Sequence, residues 1–171
     1  MSSKYENNPL LYYEHKCTDF KKESDRAIRR GLRKGLMELR EKTRSNLMSS
    51  VKGANRKNPK YTDKLTTGIR VSSPRKSKKY KESITGAVKI SSTRKTGSGS
   101  FRLAILENGT FKTPDRYATT RKGEKLKKPR YTGSLKAYYF FKKARNTVSP
   151  QKIQKYIDRE LNSTINKLNR E

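Results

Sequence analysis

The chain has 171 residues, with 44 Lys+Arg against 15 Asp+Glu and a formal charge of +29. Only 30% of residues are apolar, enough for one modest core but not for packing every segment. No run of about 18 apolar residues exists, which argues against a membrane span, and "MSSKYENNPLLYYEHK" has no signal-peptide apolar stretch. Cys17 is the single cysteine and His15 the single histidine. An internal disulfide is therefore impossible, an intracellular setting is natural, and "HKC" lacks the further ligands of a metal site.

In chain order, residues 1–18 read as an arm, with Tyr5, Leu10, Leu11, Tyr12 and Tyr13 as apolar anchors of no clear period. The arm either packs on its own domain or docks on a neighbouring subunit. The remainder, 19–171, reads as one domain. From Asp19 to Val51 the spacing predicts a helix whose stripe is Phe20, Ile28, Leu32, Leu36, Leu39, Leu47 and Val51. Asp25 with Arg29, and Glu38 with Lys42, are four apart and suit a solvated face. Gly31 and Gly35 on or beside the stripe each weaken a helix by about 1 kcal/mol relative to Ala. Close approach of another helix or a sheet would compensate.

"TTGIRVSS" and "SITGAVKISS" alternate as strands, with Ile69 and Val71 on one face, and Ile84, Gly86, Val88 and Ile90 on another. Between them "PRKSKKYKE" carries Arg75, Lys76, Lys78, Lys79 and Lys81 and reads as an exposed hairpin tip or loop. "FRLAILE" is expected as a third, central strand, ending at Glu107, Asn108, Gly109 and Thr110. Gly109 permits the positive φ of a sharp turn, with Glu107 and Thr110 bonding its exposed amides. Residues 111–136 hold nine Lys/Arg and two acids, a long basic loop of the kind that is functional or disordered. "AYYFFKKARNTV" restores apolar content as a further element. Ser149 and Pro150 then open a C-terminal helix as N-cap and first residue, with Ile153, Tyr156, Ile157, Leu161, Thr164, Ile165 and Leu168 as its stripe. The expected class is α+β: a small antiparallel sheet of three to four strands packed by a long N-terminal and a C-terminal helix.

Motifs for chemistry are missing. No Walker loop occurs, "TGSGS" lacks the strand-to-helix context of a dinucleotide site, and no second acid, His or Cys is offered in sequence to work with Glu107. The chain thus reads as a non-enzyme with no catalytic residue, no metal and no cofactor.

The order of basic amphipathic helix, two alternating strands, apolar strand ending in Glu-x-Gly-Thr, variable loop, "FF" before an alanine and terminal helix resembles a family. It is the small tail-component family of tailed bacteriophages, the gene-product-ten-like tail-completion and tail-terminator proteins. The matching residues are Glu107, Gly109, Thr110, Phe140, Phe141 and Ala144. Asn108 stands where that family has an aromatic, and no proline precedes Phe140. The resemblance implies a virion protein of the neck, assembled in the host bacterial cytoplasm as a homo-oligomeric ring of six or twelve copies. Its partners would be the portal or connector and the tail tube, and the ring would surround the DNA channel.

The basic clusters, Arg75, Lys76, Lys78, Lys79 and Lys81, then Arg121, Lys122, Lys125, Lys127, Lys128 and Arg130, are candidate contacts for a polyanion. One partner is double-stranded DNA, held by phosphates without sequence reading. The other is acidic faces of neck proteins, favoured because a tight grip on DNA would slow ejection. A rival class is a ribosomal or nucleoid-like nucleic-acid-binding protein, for which Tyr80, Tyr117 and Tyr131 among Lys and Arg are suited.

Overall fold

A computed structural model describes residues 9–56, 64–80, 82–90, 102–109 and 135–170. The class is α+β. A 42-residue helix α1 (Pro9–Ser50) leads, followed by a 3-10 turn at Leu65–Gly68. Four short strands come next: β1 (Ile69–Val71), β2 (Arg75–Lys76), β3 (Ile84–Thr85) and β4 (Val88–Ile90). Helices α2 (Arg102–Asn108), α3 (Phe140–Thr147) and α4 (Pro150–Leu168) complete the order. Helix α1 starts ten residues before the expected Asp19, so 9–18 is helical in backbone where an arm was expected.

The described residues divide into two compact units. The first takes the chain up to Lys42, Arg70–Lys89, and everything from Ala144 onward. The second takes Thr43–Ile69 and Ile90–Lys143.

In the first unit α1 and α4 run antiparallel. Gly31 and Gly35 face Ile157 and Ile153, while Arg30 and Glu38 reach Glu160 and Lys152. The buried positions of α1 in this unit include Ala27, Gly31, Gly35 and Leu39, each four residues after the last, an inclined ridge of the kind that seats against another helix. A Cβ on Gly31 would lie 2.5 Å from the Ile157 Cα and 2.8 Å from the Tyr156 carbonyl oxygen. The two backbones thus meet where the sequence offers no side chain, which is the compensation that two helix-weakening glycines required. Leu39, Ala144 and Val148 form a buried cluster, with Val88 and Ile153 packed against it.

The strands form two two-stranded ladders, β1–β4 and β2–β3, in place of the expected sheet of three to four strands. β2 and β3 are antiparallel, with Arg75 opposite Thr85 and Lys76 opposite Ile84. The Ser72 amide bonds the Ala87 carbonyl at 2.8 Å, continuing almost the same register toward β1 and β4. The four strands are therefore one interrupted hairpin. Gly86 lies at the interruption, where a Cβ would stand 2.6 Å from a Leu36 methyl. Alternation holds along it: Val71, Ile84, Val88 and Ile90 are half-buried, whereas Arg70, Thr85 and Lys89 are exposed.

In the second unit the segment expected as the central strand is helix α2. Leu103, Leu106 and Glu107 are buried, the i, i+3, i+4 spacing of a helix face. The same seven letters fit a period of two, and short apolar runs do not discriminate. Arg, Leu and Ala in the run favour helix intrinsically. The unit's other buried side chains include Leu47, Ala54, Ile69 and Phe140.

Helix α4 opens as expected: the Ser149 hydroxyl accepts from the Lys152 amide, and Pro150 is the first residue. All seven of its expected stripe positions are sheltered, Thr164 most fully. Phe20, expected on the α1 stripe, is instead 48% exposed.

Candidate functional site

Helix α2 ends on Gly109, whose amide bonds the Ile105 carbonyl at 2.7 Å and whose φ is +71. That left-handed conformation is the usual way to end a helix on glycine. Here it also allows a close approach: a Cβ at Gly109 would lie 2.7 Å from the Leu135 carbonyl oxygen and 2.9 Å from the Ala137 nitrogen. The chain at 135–139 runs against the end of α2, and the amides of Tyr138 and Tyr139 donate to the carbonyls of Leu106 and Glu107 at 2.9 and 3.2 Å. Two of the orphan carbonyls at the C-terminal end of α2 are satisfied in this way.

Glu107 completes the joint. Its carboxylate, on a residue only 9% exposed, accepts the Phe141 amide at 2.9 Å and the Lys142 amide at 3.0 Å. These are orphan donors of the first turn of α3, and a carboxylate there also meets the positive end of the helix dipole. The residue before α3 is Tyr139, with a positive φ of 52, and it offers no capping hydroxyl of Ser or Thr type. The cap is supplied from 34 residues upstream. Phe140 is 0% exposed, and its carbonyl accepts the Asn46 side-chain amide at 3.1 Å.

The sequence placed Glu107 as the acceptor for its own turn. The structure corrects this: it caps a different helix. Of the residues singled out around the turn, Glu107, Gly109, Phe140 and Phe141 come together, Asn108 is exposed at the end of α2, and Thr110 lies outside the described residues. Sequence reasoning missed Asn46, whose role depends on a chain separation of 94 residues and has no local signal.

The second candidate is the tip of the interrupted hairpin. The Ser77 amide bonds the Ser83 carbonyl at 2.8 Å, the Ser83 amide bonds the Tyr80 carbonyl at 2.9 Å, and the Ser77 hydroxyl accepts the Tyr80 amide at 3.1 Å. The described residues of the tip make a hydrogen-bonded turn. It exposes Arg75, Lys76, Lys78 and Lys79. Tyr80 is 62% exposed, with the Lys79 ammonium 5.3 Å from its ring centre. Lys76 is committed inward, to Asp25 at 2.7 Å, and it is the main cause holding the Asp25 carboxyl below its usual range. Lys81, Arg121, Lys122, Lys125, Lys127, Lys128 and Arg130 lie outside the described residues.

The seam between α1 and α4 carries the remaining organised polar groups. Glu38 accepts from Lys152 at 2.5 Å and from the Tyr156 hydroxyl at 2.8 Å, so the ammonium first and the phenol second hold its carboxyl low. Glu160 takes Lys34 at 2.5 Å and Arg30 at 3.0 Å, and both lower it. Asp25 and Glu38, expected to support a solvated helix face, instead join separate elements. A groove of about 710 Å³ beside Asp19, Lys22, Arg26, Glu160 and Lys167 has most of its charge cancelled within its own wall, by Lys22 with Asp19, Arg26 with Glu23 and Arg30 with Glu160. Among the described residues no group of three or more His, Cys, Asp or Glu side chains is placed to hold a metal ion, and no helix is long and apolar enough to cross a membrane.

No family model, curated protein or solved structure matches the chain.

Proposed function

We propose that the chain is a structural virion protein of the tailed-phage head–tail junction, a tail-completion, tail-terminator or neck-ring component. In this reading it closes into a homo-oligomeric ring of six or twelve copies around the DNA channel, joins tail tube to head connector, and catalyses nothing. The observation that carries the proposal is the joint between Glu107, Gly109 and the start of α3. Glu107 and Phe141, two of the residues on which the resemblance rests, are 34 positions apart, yet they bond directly. Gly109 lets the chain pass against the end of α2, and Glu107 holds the helix bearing Phe140, Phe141 and Ala144. In this reading the joint holds both flanks of the basic segment expected at 111–136, of which 111–134 lie outside the described residues. A defined root for a long cationic loop is what a subunit needs if that loop clasps a neighbour.

The charge supports a polyanionic setting. A formal +29 exceeds what solubility calls for, and copies in a ring would repel one another without counter-charge.

Negative-stain microscopy of the purified chain, alone and mixed with portal and tail-tube proteins, tests the proposal. Closed rings are the expected result, and monomers in every mixture would refute it. Deleting residues 112–130 should leave the fold intact and impair ring closure.

The second reading, a ribosomal or nucleoid-like protein, draws on Tyr80 exposed within a lysine cluster. It predicts submicromolar affinity for structured RNA over duplex DNA at physiological salt.

A further inference from the structure

We infer that the ordered hairpin tip, through Arg75, Lys78, Lys79 and Tyr80, is a contact for the phosphate backbone of duplex DNA. The choice of duplex over other polyphosphates rests on the head–tail junction reading. The chemistry of the tip is independent of it.

Among the described residues the tip carries no buried apolar anchor of the kind that dominates protein–protein hot spots. Among the described residues its exposed functional groups are the ammoniums of Lys78 and Lys79, the Arg75 guanidinium and the Tyr80 phenol, groups that proteins direct at phosphate oxygens, against one exposed carboxylate, Glu82. Among the described residues two of the three outward cations are lysines, compact point charges of the kind that bind phosphate. Lys76 shows the contrast. It points back to Asp25 and fastens the hairpin to α1, so the neighbouring cations project from an anchored base. The hydrogen-bonded turn from Ser77 to Ser83 holds their backbone in place, which limits the ordering entropy on binding.

The exposure of these cations also answers the objection that a DNA contact would obstruct ejection. Each exposed pair is weak and screened by salt. A ring of such tips would centre a moving duplex without gripping it, and with no base contacts it would treat every sequence alike.

The test uses the full chain and a mixed-sequence 30-base-pair duplex, with affinity measured by fluorescence anisotropy from 50 to 200 mM salt. The variant is Arg75→Gln/Lys78→Gln/Lys79→Gln, with Lys76 retained because it ties the hairpin to α1. Three lost phosphate contacts should reduce the slope of log K against log salt by about 2.7. Over that fourfold range the variant should lose about 40-fold less affinity than the parent. A control removing equal charge elsewhere, Lys52→Gln/Lys155→Gln/Arg159→Gln, should keep the parent slope.

An unchanged slope in the tip variant would overturn the inference, as would equal loss in the control. Displacement of the duplex by poly-glutamate at matched charge would overturn it in favour of an acidic protein partner. Tighter binding of a single strand, lost on Tyr80→Ala, would overturn it in favour of base stacking. Ring formation by the tip variant is scored separately by microscopy. Failure of the DNA contact with rings intact refutes this inference alone, and absence of rings with the slope effect intact refutes only the junction reading.

Discussion

Replacing Gly31 with alanine should destabilise the protein even though it improves the helix. The added methyl would stand 2.5 Å from the Ile157 Cα and 2.8 Å from both the Ile157 nitrogen and the Tyr156 oxygen. Carbon atoms rest at about 3.5–4.0 Å, so the shortfall is about 1 Å, and all three opposing atoms are backbone. No rotamer change relieves it; α1 and α4 must separate. Alanine's intrinsic gain is about 1 kcal/mol, against overpacking costs of about 1–3 kcal/mol for side-chain clashes that can partly relax. With a rigid backbone on the other side, the upper end applies and the net loss is about 1–2 kcal/mol. Urea denaturation followed by circular dichroism should show a lower midpoint, while Ser45→Ala on the exposed face of α1 leaves it equal or slightly higher. Gly35 provides a built-in comparison, because the atoms nearest its added methyl belong to the Ile153 side chain, from 2.9 Å. Gly35→Ala should therefore be partly compensated by Ile153→Ala in a double-mutant cycle, whereas the same second substitution should not rescue Gly31→Ala. A midpoint for Gly31→Ala equal to or above the parent would refute the close backbone approach and with it the antiparallel seating of the two helices.

Glu107→Ala should cost about 2 kcal/mol, since two helix amides lose a charged acceptor, and Glu107→Gln about half that, because one oxygen still accepts; chemical denaturation ranks the two. Gly109→Ala should be worse tolerated than Gly53→Asn, although φ is positive at both, since only Gly109 has backbone within contact distance; thermal unfolding compares them. The α1–α4 seam should weaken at both pH extremes. Glu38 and Glu160 are held below the ordinary 4.5, so their stabilisation is present above that value and lost as pH falls through their lowered folded values. Lys152 is raised above 10.5 and Tyr156 above 10.0, each chiefly by its hydrogen bond to Glu38, so their contribution is full below those values and lost as pH rises through the raised folded values. A pH series of urea midpoints should therefore be flat between these limits, and Glu38→Gln should flatten the alkaline limb; retention of that limb in the variant would sink the assignment.

Much of the chain was legible one residue at a time. The helical character of 19–50, the alternating strands either side of a basic turn, and the Ser149–Pro150 start of α4 are all local. Each depends on side-chain period or capping chemistry within a few residues, so a linear reading recovers them. The two helical glycines were legible as a demand, since an unsupported pair in mid-helix implies something close by. What came close was not written there, because nothing local distinguishes a strand from α4.

The misreadings share a cause. "FRLAILE" satisfies both a two-residue and a helical period over seven positions, and only the burial of Leu103, Leu106 and Glu107 on one side selects between them. The extent of α1 toward Pro9 was hidden because "PLLYYEHK" has no clear period of its own. Glu38 and Asp25 had plausible partners four residues away, yet they bond Lys152 and Lys76 at 114 and 51 positions' distance. Sequence by itself determined the charge, the main helices, the hairpin and the residue types available at the Glu107–Gly109 turn. Tertiary structure decided which amides Glu107 caps, which cation each acid takes and which face of a short apolar run is inside. Those choices are made by groups brought together across the fold, and their energies exist only once the intervening chain has closed.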